Sequence, residues 1–169
     1  MTQPEQIDVP SKVVKPLRFH VICTLRGQTW RNIKVEISAE EGQNGTPRDR
    51  LAPAPLDRFG LPAVDSLIGV SMAYQVAEKL HGSTEPDNPP DFENDRVRDV
   101  VDLVLLKRLI AKSGSPSEGE LAHAIRDIFS SRAFEAASLG LHPRNLPVTI
   151  EERLRWASDY ADACESAGV

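Results

Sequence analysis

Apolar and polar positions alternate strictly in one early part of the chain and recur every three to four residues later. "LRFHVICTL" and "TWRNIKVEIS" are β-branched, alternating runs separated by "RGQ", and a glycine in so short a gap predicts a β-hairpin. In the second run Ile33, Val35 and Ile37 share one face, and Asn32, Lys34 and Glu36 the other. From Met72 to about His81 the apolar stripe Met72, Val76, Leu80, flanked by Ala73 and Ala77, predicts a helix with Ser71 as its cap. A second helix is expected from near Asp95 to about Lys112. Its face of Val97, Val100, Val101, Val104, Leu105 and Leu109, widened by Leu103, Leu106 and Ile110, is dense enough to be central. Val97, Val100, Val104 and Leu105 should then be the least exposed part of the chain. Ser117 with Glu120, and Thr149 with Glu152, have the spacing of capping boxes and predict a third and a fourth helix starting there.

Breakers divide these elements. Residues 1–16 form an extended lead-in. Residues 39–63, rich in Gly, Pro, Asn and Asp, form a loop with at most short ordered pieces. Prolines in "GSTEPDNPPDFEN" separate the first two helices. Two strands followed by helices, without an internal repeat, argue for an α+β fold. The expected organisation is a lead-in over 1–16, a hairpin and long loop over 17–63, and a helical part over 64–169.

Composition narrows the function classes. The 169 residues are 40% apolar and 27% charged, as in a globular domain. A net charge of −5 provides no overall attraction to nucleic acid or anionic lipid, so a basic site must be local. Aromatic residues at 5% make a base-stacking platform improbable. Cys23 and Cys164 lie far apart, outside any CxxC pair, and are expected to be reduced core thiols. No apolar run reaches the ~18 residues of a membrane span. The polar, proline-bearing start does not resemble a signal peptide, so a cytoplasmic location is the expectation.

Candidate chemistry gathers in "FENDRVRDVVDLVLLKRLI". Arg96 and Arg98 fall at a helix start, where the backbone dipole is already positive. Free N–H groups and guanidinium groups together can hold an anion such as phosphate. The plainer alternative is pairing with neighbours: Arg98 and Asp102 are four apart, an arrangement worth only ~0.3 kcal/mol. Asp99 and Asp102 share a face and could position a base or a metal, or simply complement the dipole. Lys79 near a helix end either satisfies the last carbonyls or contacts phosphate. Glu36 is either solvated, paired with Lys34, or one carboxylate of a divalent-metal site, which would need partners. His20, His81, His123 and His142 form no ligand or triad spacing, and neither a GxGxxG nor a Walker loop is present.

"YQVAEKLHGSTEPDNPPDFENDRVRDVVDLVLL" resembles the signature of the AbiEii/AbiGii-type nucleotidyltransferase toxins of type IV toxin–antitoxin systems. Gln75, Ala77, Glu78, Lys79, Leu80 and His81 match that family's Gln-x-x-Ala-Glu-Lys-Leu-His helix. Arg96, Val97, Asp99 and Asp102 match its Arg-Val-Lys-Asp-Leu-x-Asp segment, with Arg98 where lysine is usual. The hairpin and the helical tail are similar more loosely, and Glu36 stands where the family usually has Asp. The family's Gly-Ser turn and Asp-x-Asp motif has no counterpart, so the chain resembles the C-terminal part of such an enzyme. The resemblance implies transfer of a nucleotidyl group from NTP to an RNA, such as tRNA, or to a protein, with Mg2+, in a phage-defence setting with a cognate antitoxin. It implies that Lys79 contacts triphosphate oxygens and that Arg96 and Arg98 neutralise phosphate. Asp99 would orient the lysine or assist the acceptor, and Glu36 would be the remaining metal carboxylate. Gln75, Glu78 and Asp102 would support the site. A non-catalytic nucleotide- or partner-binding module is the alternative.

Overall fold

The computed structural model describes residues 3–60 and 62–168. The fold is α+β: among the described residues there are two small antiparallel sheets and four α-helices. The chain divides into two compact units. One comprises the chain up to Glu41 together with Arg132–Arg144; the other comprises Gly42–Ser131 and the chain from Asn145 on.

The first unit holds the three-stranded sheet β1 (Glu5–Gln6), β2 (Leu17–Leu25) and β3 (Gln28–Ile37), in that spatial order. β2 and β3 form the hairpin that their alternation predicts, in the register Leu17↔Ile37 through Cys23↔Arg31. The turn is tighter than the predicted gap. Leu25 pairs with Gln28, and Arg26 and Gly27 both have positive φ, 51° and 78°. That combination matches the right-handed twist of the strands. A register shift after Cys23 makes Thr24 pair with Thr29, leaving Trp30 as the extra, exposed residue. Elsewhere in this unit Glu41 accepts from Lys12 and from Arg132, the latter at 2.6–2.7 Å. Glu135 accepts the Val13 N–H at 2.7 Å.

The second unit begins with the two-stranded sheet β4 (Arg48–Leu51) and β5 (Leu67–Val70), joined through a 3-10 turn at Leu56–Phe59. These strands are too short for periodicity to reveal. α1 (Met72–Ser83), α2 (Val97–Ser113), α3 (Glu118–Ser138) and α4 (Trp156–Ala167) follow, with the last residues of α3, from Arg132, counted in the first unit. Ser71 does occupy the cap position of α1, but its hydroxyl makes no cap bond. Asp49 from β4 accepts the Met72 N–H instead, at 2.7 Å.

The core differs from expectation. It is the α1–α3 contact: Ala73, Tyr74 and Ala77 against Ala124 and Ile128, with Leu121 and Ile125 alongside. Ala73, Ala77 and Ala124 are buried at this contact, and burying a side chain such as Ile128 stabilises by ~2 kcal/mol. Tyr74 donates its hydroxyl to Asp127 at 2.9 Å. Burial, and then that bond, push its phenol up to about 12. α2 buries Val97, Val101 and Leu106, whereas Val100, Val104 and Leu105 are only half-buried. Its apolar surface exceeds what α1 and α4 cover, so it flanks the core.

Candidate functional site

Lys79, in the third turn of α1, and Asp99, in the first turn of α2, meet where the two helices approach. Gly82 permits the approach: a Cβ there would lie 2.8 Å from Asp99 Oδ2. Lys79 Nζ donates to Asp99 Oδ1 at 3.2 Å and to Asp102 Oδ2 at 2.5 Å. The other oxygen of Asp99 stands 3.8 Å from Arg96 Nη1. One carboxylate therefore serves both cations, and it does so at a helix N-terminus, where negative charge is favoured. Burial alone would pull the Lys79 ammonium down. The hydrogen bonds to Asp102 and Asp99 outweigh it and hold its pKa above the ordinary lysine value. Lys79 is consequently a fixed cation with one N–H left to donate, and not a base at neutral pH.

Arg96 occupies the cap position of α2, one residue past the expected start, and its side chain is 60% exposed. Its backbone N–H is bound by Asn94 Oδ1 at 2.8 Å. Arg98 is exposed. The carboxylate four residues on, Asp102, is engaged by Lys79. Gln75 and Glu78 lie on α1 but turn to other partners: Gln75 donates to the Val70 carbonyl at 2.8 Å and Glu78 accepts from Asn44 at 2.9 Å. They fix α1 to the start of this unit. Glu36 belongs to the other unit. There it pairs across the hairpin with Arg18, whose Nε and Nη2 lie 2.9 and 2.8 Å from its Oε1, in place of the Lys34 pairing that proximity suggests. Among the described residues no group of three His, Cys, Asp or Glu side chains gathers as a metal site would require. With Glu36 held by a guanidinium, these residues do not fit a protein-held divalent ion.

A family model described as nucleotidyl transferase AbiEii toxin, Type IV TA system, matches residues 2–168. The chain belongs to the AbiEii nucleotidyl transferase toxin family. That family's Type IV system implies a cognate antitoxin. A search of curated proteins finds no match. No helix among the described residues is long and apolar enough to cross a membrane.

In this AbiEii-family chain the residues that hold the site together are ones that periodicity passes over. Asn94, fully buried, donates its amide to the carbonyls of Gly82 at 3.0 Å and Glu85 at 2.6 Å. It thereby locks the end of α1 to the start of α2. Asp87 accepts the Asn94 N–H at 2.7 Å and ion pairs from Arg153 at 3.1 Å and Arg155 at 2.6 Å. The Arg153 side chain is 3% exposed, and its guanidinium lies 4.6 Å from the Trp156 ring centroid. The Trp156 indole N–H and Arg155 both donate to the Asn94 carbonyl at 2.9 Å. The only sequence signal for this network was a charged pair, Arg153 and Arg155, beside a tryptophan.

Proposed function

We propose that this AbiEii-family chain binds the triphosphate of a nucleoside triphosphate at the junction of α1 and α2, in the service of nucleotidyl transfer to an RNA or protein acceptor. The observation that carries this reading is the Asp99 carboxylate held between Lys79 and Arg96. It fixes one ammonium in the charged state and places a largely exposed guanidinium beside it, at the amino end of a helix. Lys79 would donate its remaining N–H to a phosphate oxygen. Arg96 and the exposed Arg98 would neutralise the rest of the anion, the fork of a guanidinium suiting phosphate geometry. Asp99 and Asp102 act here as positioning residues for Lys79.

A second reading, a nucleotide-binding module without transfer activity of its own, is favoured by the pairing of Glu36 with Arg18. Titration calorimetry with each of the four NTPs tests what the two readings share. Wild type should bind, and a Lys79→Ala, Arg96→Ala double variant should bind at least about a hundredfold more weakly, since charged hydrogen bonds contribute ~1.5–3 kcal/mol each. Equal binding by both proteins would end the proposal. Incubation with labelled NTP, Mg2+ and tRNA or protein then separates the two. Incorporated label supports the transferase, and binding without incorporation supports the module.

A further inference from the structure

β3 is exposed along its whole length, and among the described residues it pairs with β2 on one side only. Its outer edge is a row of backbone donors and acceptors able to take another strand. From Arg31 to Ile37 the strand is regular, free of bulges and of proline. Its side chains are sorted by face: Ile33, Val35 and Ile37 are 50%, 38% and 56% exposed on one side, and Asn32, Lys34 and Glu36 lie on the other.

We propose that this edge pairs with the same edge of a second copy, antiparallel, about a two-fold axis at Val35. Directly opposed residues in an antiparallel pair share a face. A two-fold at Val35 therefore sets Val35 against itself and Ile33 against Ile37 twice on the apolar face. On the polar face it sets Lys34 against Glu36 twice. Neighbouring centres fail on charge or pattern. A centre at Lys34 opposes two ammoniums, and one at Glu36 opposes two carboxylates. One at Ile33 sets Val35 against Arg31 and Glu36 against Trp30. Glu36 is also prepared to receive a second cation. Arg18 bonds only its Oε1, and Oε2 accepts no bond among the described residues. The paired segment, Ile33–Ile37, has the length of an ordinary strand and forms a small interface, so the association is weak and concentration-dependent.

Two measurements on the full chain test this register. In a Cys23→Ser, Cys164→Ser background, Val35→Cys should oxidise to a disulfide-linked dimer, because opposed Cα atoms in such a pair stand about 4.5–5.5 Å apart. Ile33→Cys or Ile37→Cys alone should not, whereas the two mixed should. By analytical ultracentrifugation wild type should dimerise with rising concentration. Lys34→Glu and Glu36→Lys should each weaken dimerisation at least tenfold. An equimolar mixture of the two should restore it, since every opposed pair is then of opposite sign. Circular dichroism checks that each variant is folded. A wild-type chain that stays monomeric at all concentrations would overturn the proposal. So would a dimer in which Val35→Cys crosslinks no better than its neighbours.

Discussion

Asn94 belongs to no motif, yet its side chain closes three hydrogen bonds, to the Gly82 and Glu85 carbonyls and from the Arg96 N–H. A buried amide with this many partners is costly to lose, because each partner remains desolvated after the change. Asn94→Ala should lower stability by about 3 kcal/mol, read as a lower urea midpoint at unchanged slope. An unchanged midpoint would show that the segment between α1 and α2 is held by other groups. At this scale Lys79, Arg96, Asp99 and Asp102 were singled out in the sequence, but their grouping came from the family resemblance, since spacing alone also allows each of them a plainer role. Their scaffold was not visible. Gly82 and Asn94 matter through what lies within 3 Å of them, and a linear pattern contains no such distances.

The helices show when local chemistry decides a boundary and when packing does. α3 begins where its capping box predicts: the Ser117 N–H donates to Glu120 at 2.8 Å and the Glu120 N–H returns to Ser117 Oγ at 3.3 Å. Ser117→Ala should cost ~1 kcal/mol, seen as a small drop in the thermal midpoint; no change would mean that solvent caps the helix equally well. Thr149 and Glu152 have the same spacing and start no helix, and α4 begins only at Trp156. Between them Arg153 is drawn into the ion pairs with Asp87 and Glu151, so tertiary contacts override the local signal. The same competition explains α2, which is the most apolar helix in pattern yet flanks the core. The buried cluster forms instead where Ala73, Tyr74 and Ala77 of α1 meet Ala124 and Ile128 of α3. The two strands of the hairpin were legible through their alternation, though not the tighter turn or the bulge at Trp30, whereas β4 and β5, four residues each, lay inside or beside a run of loop-forming residues.

For the molecule as a whole, the return of the chain's last part onto the segment before α2 includes one carboxylate that takes two arginines. Hydrogen bonds from Arg155, the Asn94 backbone and Arg153 hold Asp87 well below the usual carboxylate range. A carboxylate with a depressed folded pKa stabilises above its unfolded value, about 3.9, and that contribution is lost as pH falls through the folded value. Wild type should therefore exceed Asp87→Asn in urea midpoint at pH 7, and the gap should narrow steadily below pH 4. A gap independent of pH would mean that Asp87 acts through shape and not charge. The surroundings of Trp156 carry a practical consequence. The chain has two tryptophans, one in each unit. Trp30 is 68% exposed and Trp156 is 8% exposed, its indole N–H bound to a carbonyl. An indole in a dry, bonded setting emits at shorter wavelength than one in water. The protein thus contains two intrinsic fluorophores of different colour, each reporting on its own unit, and denaturation of either can be followed by emission without attaching a dye.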